Sequence, residues 1–153
     1  MADGGADGGD IQHGPAPATH PDWAGWQSWI GDGFEDRTGP FFFREEADGS
    51  IRCAFRAAQQ HMNGSGNMHG GCIMTFADYA LFMIGNDAMV QGGGVTVSLN
   101  GEFVGPVALG ELVEATGEVV RAGGSLIFMR GMIAVGERPV MSFSGVVKKT
   151  KRS

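Results

Sequence analysis

The sequence predicts an α+β domain in which one long, buried helix is wrapped by an antiparallel sheet of five to six strands. Apolar residues keep helical spacing from Cys72 to about Val90 with little polar face left, which is typical of a buried helix. After Gly92 the pattern changes to long runs of period two, separated by Gly-Pro or Gly-rich turns. Before the helix, two β-rich runs flank Asp48-Gly49, a pair of residues typical of hairpin turns.

Length and composition limit the class of protein. The 153 residues are enough for one domain whose core needs neither disulfides nor a structural metal. Glycine accounts for 27 residues, but these show no collagen-like period and fall in clusters. The net charge of -6 argues against nucleic acid or an anionic membrane as a partner. Cys53 and Cys72 fit neither a disulfide framework nor a zinc pattern, so we expect buried thiols in a reducing, cytoplasmic environment.

Three segments are expected along the chain. Residues 1–19, rich in Gly, Ala, Asp and Pro, are predicted to be a disordered leader. Residues 20–150 form the single domain, and residues 151–153 form a basic tail. The basic residues around the C-terminus read either as a solvated end or as a patch that binds phosphate groups.

A short helix is predicted at the start of the domain, because tryptophans recur every three positions after an aspartate that could cap it. It would run from Asp22 to about Gly31 and pack as a lid on the core. The tryptophans concerned are Trp23, Trp26 and Trp29. The hairpin follows over residues 41–57, and after the long helix four strands are predicted at 95–104, 112–122, 125–135 and 140–149.

Asp78 lies in the middle of the long helix among apolar residues. A carboxylate in such a place is costly to desolvate unless it is hydrogen-bonded or lies at a cavity. Upstream, Gly70 and Gly71 follow His69 where the helix should begin, so backbone N–H groups lack helical acceptors there. Such N–H groups can stabilise a carbonyl oxygen as it becomes negative. A solvated edge or an internal hydrogen bond would explain Asp78 without any catalytic role.

The spacing of these residues has a consequence for assembly. Gly70 and Asp78 are eight residues apart, which is about 12 Å along a helix axis. One chain therefore cannot bring both to a single carbonyl group. If both act in catalysis, a two-fold partner must supply one of them, and we expect a dimer with two equivalent sites.

Other motifs in this segment point to no alternative chemistry. Gly64, Gly66 and Gly70 do not have the spacing of a dinucleotide-binding loop. His61, His69 and Asp78 do not have a recognised metal-ligand spacing, so no metal site is expected.

Taken together, the motifs resemble the hotdog-fold acyl-CoA thioesterases of the phenylacetic-acid-degradation (PaaI-like) type over about residues 40–150. The residues that carry the resemblance are Asn63, His69, Gly70, Gly71 and Asp78, followed by Gly94-Val95-Thr96-Val97 and by Gly105-Pro106 with Gly110-Glu111. Members of that family have a long helix wrapped by an antiparallel sheet, form dimers with a continuous sheet and often tetramers, and use no metal or redox cofactor.

The resemblance implies a role for each matching residue. Asp78 would be the catalytic carboxylate, either as nucleophile or as the general base that activates water. Gly70 would donate its backbone N–H to the thioester carbonyl, and Asn63 would orient water or the thioester. Thr96 would hold the nucleophilic water beside the carboxylate, while the role of His69 would be partly structural.

The resemblance also implies a substrate site. Some related thioesterases carry a hydroxyl residue four positions after the carboxylate, but Phe82 stands there in this chain, so the water-holding role passes to Thr96. Phe82 and Gly71 are expected to contact the substrate. Coenzyme A phosphates would meet Arg121, Ser125, Lys148 and Lys149.

The expected reaction is hydrolysis of an acyl- or aryl-CoA to the free acid and CoA in the cytoplasm, without a cofactor. Two alternatives stay open: a non-catalytic module that binds acyl-CoA, and a hydratase or dehydratase on the same fold. The sequence leaves the acyl group and the choice between dimer and tetramer open.

Overall fold

The computed structural model describes residues 13–89 and 93–151. Within these residues the chain forms two α-helices and one antiparallel sheet of eight strands. The helices are α1 (Gly33–Thr38) and α2 (Gly70–Ile84). The strands are β1 (Gly14–Pro17), β2 (Gln27–Ile30), β3 (Phe42–Glu45), β4 (Ile51–Arg56), β5 (Gly93–Phe103), β6 (Leu112–Ala122), β7 (Leu126–Val135) and β8 (Arg138–Thr150). Their order in the sheet is β1-β2-β3-β4-β6-β7-β8-β5.

The long helix α2 lies against the sheet and contacts the five strands β4 to β8. Eight of its 15 residues are buried, among them Phe76, Tyr79 and Leu81, so the predicted buried helix is confirmed. It begins at Gly70, directly after His69, whose side chain caps it. It ends at Ile84 and is followed by a 3-10 turn, while Val90 lies outside the described residues.

The predicted hairpin and the four strands after α2 are also confirmed. Strands β3 and β4 pair antiparallel and turn at Gly49, whose φ of 84° is the left-handed conformation that glycine adopts without strain. Strand β6 has the predicted bounds, and β7 and β8 differ from theirs by one or two residues. The alternation of apolar residues with a period of two predicted these strands correctly, because one face of each strand packs on α2.

The predicted tryptophan helix is wrong. Residues Pro21–Trp23 form a single 3-10 turn, capped by His20 rather than by Asp22, and Gln27–Ile30 is strand β2. Gly25 has a φ of 86°, which ends the turn before a helix can propagate. Residues after it instead satisfy their backbone groups by pairing with β1 and β3.

The ordered domain begins earlier than predicted. Gly14–Pro17, which was expected to belong to the disordered leader, pairs with β2 as strand β1. Pro15 and Pro17 fit an edge strand, because the N–H groups that proline lacks would face the side of β1 that pairs with none of the described strands. Strands β1 and β2 account for the difference between the expected five to six strands and the observed eight. Residues 1–12 and 152–153 lie outside the described part of the chain.

Close approach between α2 and the sheet depends on glycine in the strands. A methyl group at Gly145 in β8 would overlap the side chain of Leu81, and one at Gly117 in β6 would overlap Ile84. Both partners lie on α2. Part of the unusual glycine content is therefore explained by helix-to-sheet packing as well as by turns.

Replacing Gly145 with alanine should destabilise the fold, because the added methyl group overpacks the contact with Leu81. Overpacking of this kind costs about 1–3 kcal/mol. Gly124→Ala is the matched control, since a Cβ there meets nothing within 4 Å. The free energies of unfolding of both variants and the wild type, measured by urea denaturation, check this prediction. Equal stability of the two variants would contradict the close approach.

Candidate functional site

Asp78 and Thr96 are brought together by the packing of α2 on the edge strand β5. The Thr96 hydroxyl donates a hydrogen bond of 2.6 Å to Oδ1 of Asp78. Asp78 is half-buried on α2 between two buried residues, Ala77 and Tyr79. The hydrogen bond holds one carboxylate oxygen in a fixed direction and offsets part of the cost of its burial.

A cavity of about 430 Å³ opens beside this pair. Its apolar wall includes Trp29, Phe82 and Met83, and it also reaches Gly94 of β5. Polar side chains lie in the same wall: His13, Glu35, Asp78, Asn86 and Thr96 are among those that line it. A second cavity of about 440 Å³, lined by Met74 and Leu99 among others, meets Glu35, Asp78 and Thr96 from another side. Only Trp29 among the three tryptophans lines the first cavity.

Glu35 is a site residue that sequence reasoning missed. It lies on α1, a helix that was not predicted, and Asp32 caps this helix by accepting hydrogen bonds from the N–H groups of Phe34 and Glu35. Burial, together with the smaller effects of the charges of Asp32, Asp78 and Asp36, raises the pKa of Glu35 to about 7. An aspartate followed three positions later by a glutamate is a known pattern at the start of helices. This pattern was the signal in the sequence that could have identified α1.

The start of α2 presents the backbone donor that the sequence suggested. Nδ1 of His69 accepts the N–H of Gly71 at 2.8 Å, so His69 acts as the helix cap. Among the described residues, no acceptor takes the N–H of Gly70. The ring of Phe103 lies close to Gly70 on the outer side. Gly70 is half-exposed, and its N–H is the backbone donor at the start of α2 that is left for a ligand.

Asn63 lies in the exposed loop that precedes α2. Its Oδ1 accepts the N–H groups of Ser65 and Asn67 at 2.9 and 3.2 Å. These bonds shape the loop and leave the side-chain amide nitrogen as the group that can donate to a ligand.

His61 is a buried residue with a structural task. Its Nδ1 accepts the N–H of Ala58, so Nε2 carries the proton and donates to the carbonyl oxygen of Thr38. The carbonyl of His61 in turn accepts the N–H of His69. His61 thus ties the end of α1 to the start of α2.

The residues predicted to contact phosphate groups lie at one end of the sheet, but their side chains do not all point towards one site. The backbone N–H of Lys149 donates to the carbonyl of Ser125, and its ammonium donates to the carbonyl of Gly123. Lys148 is the preceding residue in β8 and points to the opposite face of the sheet. Arg121 is exposed in β6, at an irregularity just before the β6–β7 turn.

Within the described residues, no group of three or more His, Cys, Asp or Glu side chains is placed to hold a metal ion. No helix in that part of the chain is long and apolar enough to cross a membrane.

Comparison with known proteins places the chain among thioester-cleaving proteins. The sequence profile of the thioesterase superfamily matches residues 65–141. A Pseudomonas aeruginosa protein named as a candidate esterase is 34% identical over 112 residues, which cover 72% of this chain and 84% of that protein. Human acyl-coenzyme A thioesterase 13 is 30% identical over 95 residues, covering 62% of this chain and 68% of that protein.

The fold is also similar to that of solved structures. The PaaI protein from the phenylacetic acid degradation operon of E. coli superposes with a TM-score of 0.70 at 19% identity. The alignment covers 80% of this chain and 88% of that one. At this level of identity the likeness concerns the fold alone.

Proposed function

The chain belongs to the thioesterase superfamily, and from this premise we propose that it hydrolyses the thioester of an acyl- or aryl-CoA to the free acid and CoA. It is a thioester hydrolase with the hotdog fold and PaaI-like features. The acyl-CoA substrate is supported by the human relative, which is named an acyl-coenzyme A thioesterase. The observation that carries the proposal is the Asp78 carboxylate, hydrogen-bonded by Thr96 at the mouth of a cavity.

Two routes are open to Asp78, and both use water as the second reactant. As a general base, Asp78 would take a proton from a water molecule while the water oxygen bonds to the thioester carbon. The C–S bond then breaks, and the sulfur leaves as the thiol of CoA after protonation. As a nucleophile, Asp78 would bond to that carbon first, and the C–S bond would break to release CoA as its thiolate, which then takes up a proton. Water would then cleave the resulting anhydride to the free acid and the Asp78 carboxylate. Single-turnover hydrolysis in isotopically labelled water distinguishes the two routes by the position of the label.

The cavity suits an apolar acyl group. Trp29, Phe82 and Met83 offer aromatic and flexible apolar surface next to the carboxylate. We propose that the acyl or aryl part of the substrate lies against them, with its carbonyl carbon facing Asp78. Arg121 and the basic end of β8 are proposed to contact the phosphate groups of CoA, and the reaction is proposed to take place in the cytoplasm without a cofactor.

A second subunit is proposed to complete each site. Gly70 and Asp78 lie on one straight helix, and their separation of about 12 Å keeps them from sharing a carbonyl oxygen. Strand β5 supports pairing with a second copy. It lies at the edge of the sheet and exposes Val95, Val97 and Phe103, and long apolar edges of this kind favour association. In such a dimer, Gly70 of one protomer would donate to the carbonyl that Asp78 of its partner attacks.

Asp78→Asn should lower thioester hydrolysis by about a thousandfold, because an amide can act neither as a base nor as a comparable nucleophile. The measurement is release of free thiol from a panel of acyl- and aryl-CoAs. Asp87→Asn is the control, since Asp87 is exposed in the turn after α2. Wild-type turnover by Asp78→Asn would contradict the mechanism. Binding of acyl-CoA without thiol release by the wild type would show a non-catalytic module instead.

Thr96→Val should lower kcat by roughly tenfold, because it removes the hydrogen bond that orients Asp78 while keeping the shape of the side chain. Thr96→Ser keeps the hydroxyl and should restore most of the activity. Comparison of kcat and KM for both variants on the best substrate checks this prediction. If the valine and serine variants lose activity equally, the hydrogen bond is not what matters at this position.

The shared site can be tested by mixing two inactive variants. Gly70→Pro removes the proposed donor, and proline is well tolerated at the first position of a helix when the preceding residue is extended, as His69 is here. In a dimer of one Gly70→Pro chain and one Asp78→Asn chain, one site keeps both native groups. Random mixing makes about half of the dimers mixed, so about a quarter of wild-type activity should return. No recovery, with subunit exchange shown by light scattering or tag capture, would place each site within one chain.

A further inference from the structure

The structure brings a second carboxyl group, that of Glu35, into the cavity of Asp78 and Thr96. Glu35 lies on α1, which packs against α2, and it lines both cavities that meet Asp78 and Thr96. On its other side it reaches a small pocket that is also lined by Tyr79. Glu35 is half-buried, and it lies close enough to Asp78 for the charge of Asp78 to raise its pKa.

The groups around Glu35 do not favour a negative charge on it. Acidic residues face it from its own helix and cap, Asp32 and Asp36, and from α2, Asp78. Tyr79 of α2 and His13, which precedes β1, are the other titratable groups nearby. Among the described residues, no lysine or arginine lines either cavity, and the causes that act on the pKa of Glu35 include no hydrogen bond.

The two carboxyl groups have different surroundings. Thr96 donates a hydrogen bond to Asp78, whereas hydrogen bonds are not among the causes that act on the pKa of Glu35. Glu35 has burial and like charges against ionisation, and these raise its pKa to about 7. Burial and the neighbouring negative charges therefore favour the protonated form of Glu35.

We propose that Glu35 is a positioning residue of the active site, which holds a proton and so adds no further negative charge beside Asp78 and the thioester. This inference rests on the proposed function for its catalytic consequence, but the protonation of Glu35 can be tested without substrate. Glu35 forms no bond to the substrate and exchanges no group with it.

The consequence for catalysis follows from charge. Hydrolysis of a thioester develops negative charge on the carbonyl oxygen, and a second ionised carboxylate nearby raises the energy of that state. The active form is then the one in which Glu35 is protonated. Activity should fall as the pH rises through the pKa of Glu35.

The first experiment is a pH profile of kcat/KM on the best acyl-CoA from pH 6 to 9. For the wild type, a pKa of about 7 gives a fall of about fivefold between pH 7 and pH 8 if only the protonated form is active. Glu35→Gln is neutral at every pH and should lack this fall. Glu137→Gln, at an exposed glutamate in the β7–β8 turn, is the control and should keep it. An identical fall in wild type and Glu35→Gln would overturn the proposal.

The second experiment uses the protein without substrate and compares thermal unfolding of wild type and Glu35→Gln from pH 4 to 8.5. The pKa of Glu35 is raised from 4.5 to about 7 on folding, so the stabilisation by its proton is complete below pH 4.5 and is lost as the pH rises through 7. The melting temperature of Glu35→Gln should therefore rise relative to that of the wild type as the pH increases across this range. Introduced into Asp78→Asn, the same substitution should give a smaller gain, because one of the opposing charges is gone.

These two experiments separate the possible failures. A gain in melting temperature that does not vary with pH, or that is the same with and without the Asp78 charge, would overturn the proposal for Glu35. If no acyl-CoA releases thiol, the proposed function fails, and the unfolding measurements still decide whether Glu35 holds the proton beside Asp78.

Discussion

Burial of α2 against five strands is the constraint on which the rest of the molecule depends. A helix that is apolar on nearly every side must be covered, and the strands reach it only because glycines such as Gly145 leave room for Leu81. Any polar group on such a helix needs a partner from the sheet. Thr96 of β5 fills that need for Asp78. The packing that stabilises the fold therefore also assembles the central pair of the site.

Most of the fold could be predicted because its patterns are local. The period of 3.6 in α2 and the period of two in β6 to β8 each reflect burial of one element against another. The tryptophan segment failed because its spacing suits a helix, whereas Gly25 and pairing with a distant strand decide its structure. Such pairing partners are not visible in a short window of sequence. Strand β1 was missed for the same reason, since Gly14–Pro17 is ordered by β2 rather than by its own composition.

The site was predictable to a similar extent. Asp78 stood out as a carboxylate in an apolar helix, and the resemblance to a family pointed to Thr96, which the structure places at hydrogen-bonding distance. Glu35 had a local signal for its helix, but nothing in the sequence near it indicates a neighbour on α2. Its raised pKa comes from burial and from charges that the fold brings together. Properties that arise from such distant contacts become visible only in three dimensions.

Strand β5 has two roles in the proposed enzyme. It supplies Thr96 to the carboxylate on its inner side, and its outer edge is the proposed contact with a second subunit. Because a two-fold interface is reciprocal, each association completes two sites at once or none. The hydrogen bond from Thr96 to Asp78 forms within one chain, so in the proposed dimer assembly adds the donor at Gly70 to a carboxylate that is already oriented.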